Sequence, residues 1–159
     1  MKTIILLTLI SLLTACASAP EFNTAQVDKT LIPSSVSAEP ERHTGKTVLW
    51  GGIILNTENL SEMTQIEVLA YPLNSIYRPL TSAEPLGRFL LRHPGYLEPA
   101  TYAQGRELTL IGKVEGVSTG SVGESKYSYS IIGSDQLHLW SKDKQRNSTS
   151  FHFGVGVGL

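Results

Sequence analysis

The stretch Gly116-Val117-Ser118-Thr119-Gly120 has the spacing Gly-x-Ser-x-Gly, in which a serine oxygen becomes a nucleophile if a strand turns sharply into a helix beneath it. Here the motif runs on into "SVGESKYSYS", which has no helical period, so Ser118 reads as part of a flexible hairpin loop. The only histidines are His43, His93, His138 and His152. None pairs at the i, i+4 spacing of a helical zinc site, and no metal site is expected. His138 alternates with Leu137 and Leu139 and is expected on a solvent face, and His93 precedes the turn residues Pro94-Gly95. The carboxylates from Glu62 to Asp143 are scattered through turns and outward strand positions. Catalytic carboxylate pairs are defined by a separation in space. A hydrolase with an unrecognised carboxylate site therefore stays open as an alternative.

The aromatic residues form a more suggestive set. Trp50, Tyr71, Tyr96, Tyr102, Tyr127 and Trp140, joined by Arg88 from a run of central arginines, make up a candidate binding surface. Exposed rings of this kind stack on bases or sugars, but base stacking normally comes with a basic groove. The chain has 13 basic against 14 acidic side chains and a formal charge of -1, so nucleic acid is not an expected partner.

The lone cysteine, Cys16, can form neither an internal disulfide nor a Cys-x-x-Cys site. It follows a basic Lys2, an apolar run over residues 4–13 and small residues, the layout of a secretory signal. The run is too short to span a bilayer core of roughly 30 Å. Leu13-Thr14-Ala15-Cys16 resembles the lipobox of bacterial lipoproteins. That resemblance implies cleavage after Ala15, a diacylglyceryl group on the Cys16 thiol and an acylated new amino terminus, with no other cofactor. Acyl chains contribute about 0.8 kcal/mol per buried CH₂, so three chains hold a protein on a membrane almost permanently. Ala17, where Asp would signal inner-membrane retention, is similar to the outer-membrane sorting pattern. The expected location is thus the inner leaflet of the outer membrane, with the domain facing the periplasm. Ordinary signal cleavage near Ala17 or Ala19, which would discard Cys16, is the competing reading.

The elements that must position these residues begin late. Residues 1–15 are the signal peptide, and residues 16–42, rich in Ser, Ala and Pro, are expected to form a flexible tether. Residues 43–142 are expected to form the folded domain and residues 143–159 a glycine-rich tail. "TVLWGGIIL" reads as a strand covered on both faces, with Gly51-Gly52 marking a bulge or sharp bend. "TQIEVLAYPL", "GRFLLRHPGYL" and "ELTLIGKVEG" follow, the last placing Leu108, Leu110 and Val114 on one face. "KYSYSII" and "QLHLW" complete the set, and a short helical turn near "EPATYAQG" is the one helical feature expected. The fold class is all-β: a small antiparallel OB-like β-barrel of five to six strands, closed to remove its edges.

In order, "WGGIILN" (50–56), "IEVLAYPL" (66–73), "GRFLLRHPGYLEPATY" (87–102), "GRELTLIGKVEG" (105–116) and "QLHLW" (136–140) behind a lipobox resemble the Slp family of outer-membrane lipoproteins, whose name comes from a starvation-inducible member. The resemblance implies a lipid-anchored β domain. The expected role is a non-enzymatic binding or scaffold module of the cell envelope, associated with stress and with an envelope protein as possible partner. The tail "FHFGVGVGL" departs from the family pattern. It puts Phe151, Phe153, Val155, Val157 and Leu159 on one face, like the last strand of an outer-membrane barrel. A small outer-membrane β-barrel is therefore a second alternative.

Overall fold

The computed structural model describes residues 20–142. The signal segment, Cys16, its neighbours Leu13, Thr14 and Ala15, His152 and the tail from residue 143 lie outside the described residues.

Two short helices, α1 (Pro33–Ala38) and α2 (Pro40–His43), lead into five strands. These are β1 (Thr47–Asn59), β2 (Met63–Ala70), β3 (Gly87–Pro94), β4 (Glu107–Val122) and β5 (Ser125–Leu139). They pair in the order β1-β2-β3-β5-β4, and β4 returns to β1 to close a barrel. The mostly-β expectation holds with five strands, and it needs one correction. β3 and β5 pair in parallel, because the β4–β5 hairpin brings β5 back along the direction of β3.

Strict alternation builds the wall. In β2, Thr64, Ile66, Val68 and Ala70 are buried while Gln65, Glu67 and Leu69 point outward. Phe89 and Leu91 of β3 and Leu108 and Leu110 of β4 join them inside, with Trp50 packed on Phe89 at 5.3 Å between ring centroids. β1 serves two partners, β4 over Thr47 to Ile53 and β2 from Gly52 onward. The handover falls on Gly51 and Gly52, where a Cβ would stand 2.7 Å from the Leu108 carbonyl and 2.0 Å from the Leu69 carbonyl respectively. The two glycines are thus a bend of close backbone approach, and the register shift itself lies between Ile54 and Asn56.

The Gly-x-Ser-x-Gly stretch is strand and not loop. β4 and β5 form one long hairpin in which Ser118 pairs with Tyr129. Its cross-strand partner replaces the helix that a nucleophile elbow needs.

Part of the expected tether is also corrected. Leu31 and Val36 are buried in the core. The Trp50 indole N–H donates to the Leu31 carbonyl at 2.8 Å, and the buried Ser130 hydroxyl donates to the Pro33 carbonyl at 2.9 Å. Pro33 opens α1 at a position that needs no N–H, and Pro40 ends it. The lead therefore plugs the barrel before the first strand begins. Upstream, Asp28 N–H donates to the Thr47 carbonyl and Val27 bridges to Thr47, so the chain is fastened to β1 as well.

The described barrel is apolar within and carries Glu67, Arg88, Arg92, Lys113 and Glu115 on its outward strand positions. A membrane barrel has the opposite polarity, apolar toward lipid and polar within. This overturns the outer-membrane barrel alternative.

Val36→Ala should lower the unfolding free energy in urea by about 2 kcal/mol, from lost burial plus the cavity left behind. Glu41→Ala, at an exposed position of α2, should change it by less than about 0.5 kcal/mol. Equal, negligible effects would mean that the lead does not plug the barrel.

Candidate functional site

An apolar cavity of about 280 Å³ opens where the lead, β1 and the connection between β2 and β3 meet. Leu31, Ile32, Pro33, Leu49, Leu73 and Leu86 supply aliphatic wall, Tyr71 and Tyr77 supply rings, and Lys29 and Asn74 are its hydrogen-bonding members. Its size and polarity suit a slender apolar group held by few polar contacts.

Turn chemistry shapes one wall. The Asn74 side-chain oxygen accepts the backbone N–H of Ile76 at 3.0 Å and of Arg78 at 2.9 Å, curling the connection tightly. Tyr77 is pushed to φ 64°, a left-handed conformation costing roughly 1–2 kcal/mol for a residue with a Cβ. Its carbonyl accepts the hydroxyl of buried Thr109 at 2.7 Å, and Thr109 in turn accepts the Trp140 indole N–H at 2.9 Å. Phe22 stands edge-on to Tyr77 at 5.7 Å and to His138 at 6.4 Å, and His138 packs on Trp140 at 4.6 Å. Arg78 lies over Trp140 while its Nε donates to Glu107 at 2.6 Å. His138 is therefore part of an aromatic cluster and not on an open solvent face. Burial pushes its pKa below the usual histidine range.

The seven residues of the candidate surface do not converge. Trp50 is core, and Trp140 is buried under Arg78; their indole donors are already used. Both are withdrawn as surface residues, because each lies on the inward side of its strand or packs beneath a side chain. Of the set, Tyr71 and the largely buried Trp50 border the apolar cavity. Tyr102 packs against the core, and its carbonyl accepts the Thr57 hydroxyl. Tyr96 is exposed and bonds Glu98.

Arg88 and Tyr127 do meet, on the outer face of the β2-β3-β5 wall. Arg88 Nη1 donates to Glu67 at 2.8 Å, Tyr129 donates to the same carboxylate oxygen, and the Tyr127 hydroxyl accepts the Arg88 backbone N–H at 2.9 Å. The Glu67 hydrogen bond holds the Arg88 guanidinium more firmly protonated than usual, and burial followed by the Glu67 charge raises the Tyr129 phenol. A closed network of this kind fastens three strands together.

A second cavity, of about 420 Å³, is polar and was not foreseen from sequence. It lies at the far end of the β3–β5 seam and gathers Glu62, Arg92, His93, Lys113, Glu115 and Asp135 around Gly133 and Ser134. Among the described residues no group of His, Cys, Asp and Glu has the arrangement of a metal site.

Comparison with known proteins bears on the whole chain. Residues 13–155 match the family model described as the outer membrane lipoprotein Slp family. The chain is 27% identical to outer membrane protein Slp of Escherichia coli K12, over 99% of this chain and 84% of that protein. It is 34% identical to an uncharacterized protein of Haemophilus influenzae over 60% of this chain, and 24% identical to the uncharacterized lipoprotein YeaY of E. coli K12 over 69% of it. These two matches span only about half of each relative, 52% and 56%.

The depressed pKa of His138 has a definite sign. The unfolded chain takes up a proton that the folded chain refuses, so this stability is present above the ordinary histidine value of about 6.5 and is lost as pH falls through the folded value. Between about pH 7 and pH 5.5 the melting temperature of His138→Phe should fall less steeply than that of the unsubstituted protein. Parallel slopes would show that His138 titrates alike in both states.

Proposed function

The chain belongs to the outer membrane lipoprotein Slp family, and from that premise we propose that Cys16 carries the lipid and that the domain is a non-enzymatic binding module facing the periplasm. Outer-membrane location follows from the family; orientation, stress association and the scaffold role are the reading offered here. The ring order β1-β2-β3-β5-β4, with its one parallel contact between the third and fifth strands, supports describing the barrel as OB-type.

The apolar cavity between the lead and the β2–β3 connection carries this reading. It is walled in part by residues 29 and 31–33 of the lead, the stretch of chain that precedes the first strand. Its lining supplies contact and orientation. The polar members, Lys29 and Asn74, can orient a ligand but include no nucleophile paired with a base, which favours binding over catalysis.

Two measurements test the proposal. A clickable palmitate analogue should label the protein but not Cys16→Ser, and the variant should leave the outer-membrane fraction. Retention of the variant there would mean that acylation is not the anchor. An environment-sensitive apolar dye should brighten on the unsubstituted protein and lose most of that gain with Leu73→Glu, at a melting temperature within a few degrees. Undiminished dye binding by a folded Leu73→Glu protein would remove the cavity as the seat.

A further inference from the structure

We propose that the polar cavity at the end of the β3–β5 seam binds a small zwitterion, a free amino acid or a short peptide carrying both its ammonium and its carboxylate. The proposal stands on this seam alone and does not depend on the apolar cavity or on the lipid anchor.

Strand register builds the site. Gly133 of β5 pairs on one side with Arg92 of β3 and on the other with Lys113 of β4. Laterally paired residues share a face, and strands lie about 4.8 Å apart, so the backbones of two cationic residues stand roughly 10 Å apart across a residue with no side chain. Glu115 lies over that gap, since a Cβ on Gly133 would come within 2.2 Å of its carboxylate oxygen.

The charges here are only partly satisfied by one another. Arg92 reaches Glu115 at 3.8 Å, beyond hydrogen-bond length, and its Nε is buried with no hydrogen-bond partner among the described residues. The Arg92 side chain as a whole is 37% exposed, and a carboxylate offered bidentately is the natural complement of a guanidinium. A ligand carboxylate would give Arg92 a hydrogen bond shorter than its 3.8 Å approach to Glu115, with Lys113 as the second cation lining the cavity. Glu62 and Asp135, which also line the cavity, would then face the ligand ammonium. The Ser134 hydroxyl, 2.8 Å from His93 Nδ1, adds a neutral polar group to the lining. A simple anion would meet three carboxylates, and a simple cation would meet Arg92 and Lys113; a ligand with both charges meets complements at each end.

The test is titration of the full mature protein with alanine and alanyl-alanine, followed by NMR at the Gly133 and Ser134 amides. At least one should give saturable shifts there. N-acetylation or C-terminal amidation should weaken binding about tenfold or more, the worth of a charge-assisted hydrogen bond. Arg92→Gln should weaken the uncapped ligand by a similar factor and leave the amidated one nearly unchanged, because that ligand has already lost the group Arg92 would hold. Arg92→Lys, which keeps the charge but not the fork, should fall between. Absence of saturable shifts, capped ligands that bind as tightly as uncapped ones, or equal losses for both ligands in a folded Arg92→Gln protein would each overturn the proposal.

Discussion

Covering the barrel end is the constraint on which the rest depends. Five strands enclose an apolar interior, and the end beneath Trp50, Phe89 and Ser130 must be covered by something other than sheet. The lead supplies Leu31 and Val36 as the cover, and two hydrogen bonds to its backbone carbonyls, from Trp50 and Ser130, fix its position. Each bond satisfies a buried side-chain donor and a buried carbonyl together, so neither partner can leave without stranding the other. The apolar cavity exists because the plug does not fill the whole angle between β1 and the β2–β3 connection.

How much of this could be read in advance differs by element, for physical reasons. β2 announces itself because one side faces core and the other points outward, and the period of two is written directly into the residues; in the first half of β4 the same alternation of Leu108, Leu110 and Val114 is legible although Thr109 and Ile111 are buried as well. The second half of β4 does not. Its Gly, Ser and Thr residues look like a loop, and only the partner strand across the hairpin gives them a ladder. The lead is illegible for a related reason: among Ser, Ala and Pro, Leu31 and Val36 are isolated, and their burial is decided by a barrel opening far along the chain. Residue type alone was a poor guide to the aromatic set. Trp50 shares its parity with the buried Val48 and Ile54, a sequence signal of inward orientation. The constellation around Gly133 was out of reach, since it needs the register of three strands drawn from residues 92, 113 and 133.

The two cavities occupy opposite ends of the β2–β3 pair. Ala70 borders the apolar one and Met63 the polar one, a separation of roughly 23 Å along the strand. Between them the Glu67–Arg88–Tyr129 network ties the wall together on its outer face. A rigid strand pair with an apolar seat at one end and a charged seat at the other can engage two chemically different groups without either interfering with the other.

Fastening of the lead also sets a leash length. Were the chain loose from Cys16 to Pro40, a lipid on Cys16 would let the domain roam about 80 Å from the bilayer. Because Phe22 already packs on Tyr77 and His138, only five residues lie between the anchoring position and the folded body, a reach of at most about 20 Å. A lipid at Cys16, as proposed, would thus moor the domain by its Phe22 flank, so that this flank and not the far end of the barrel stays near the bilayer.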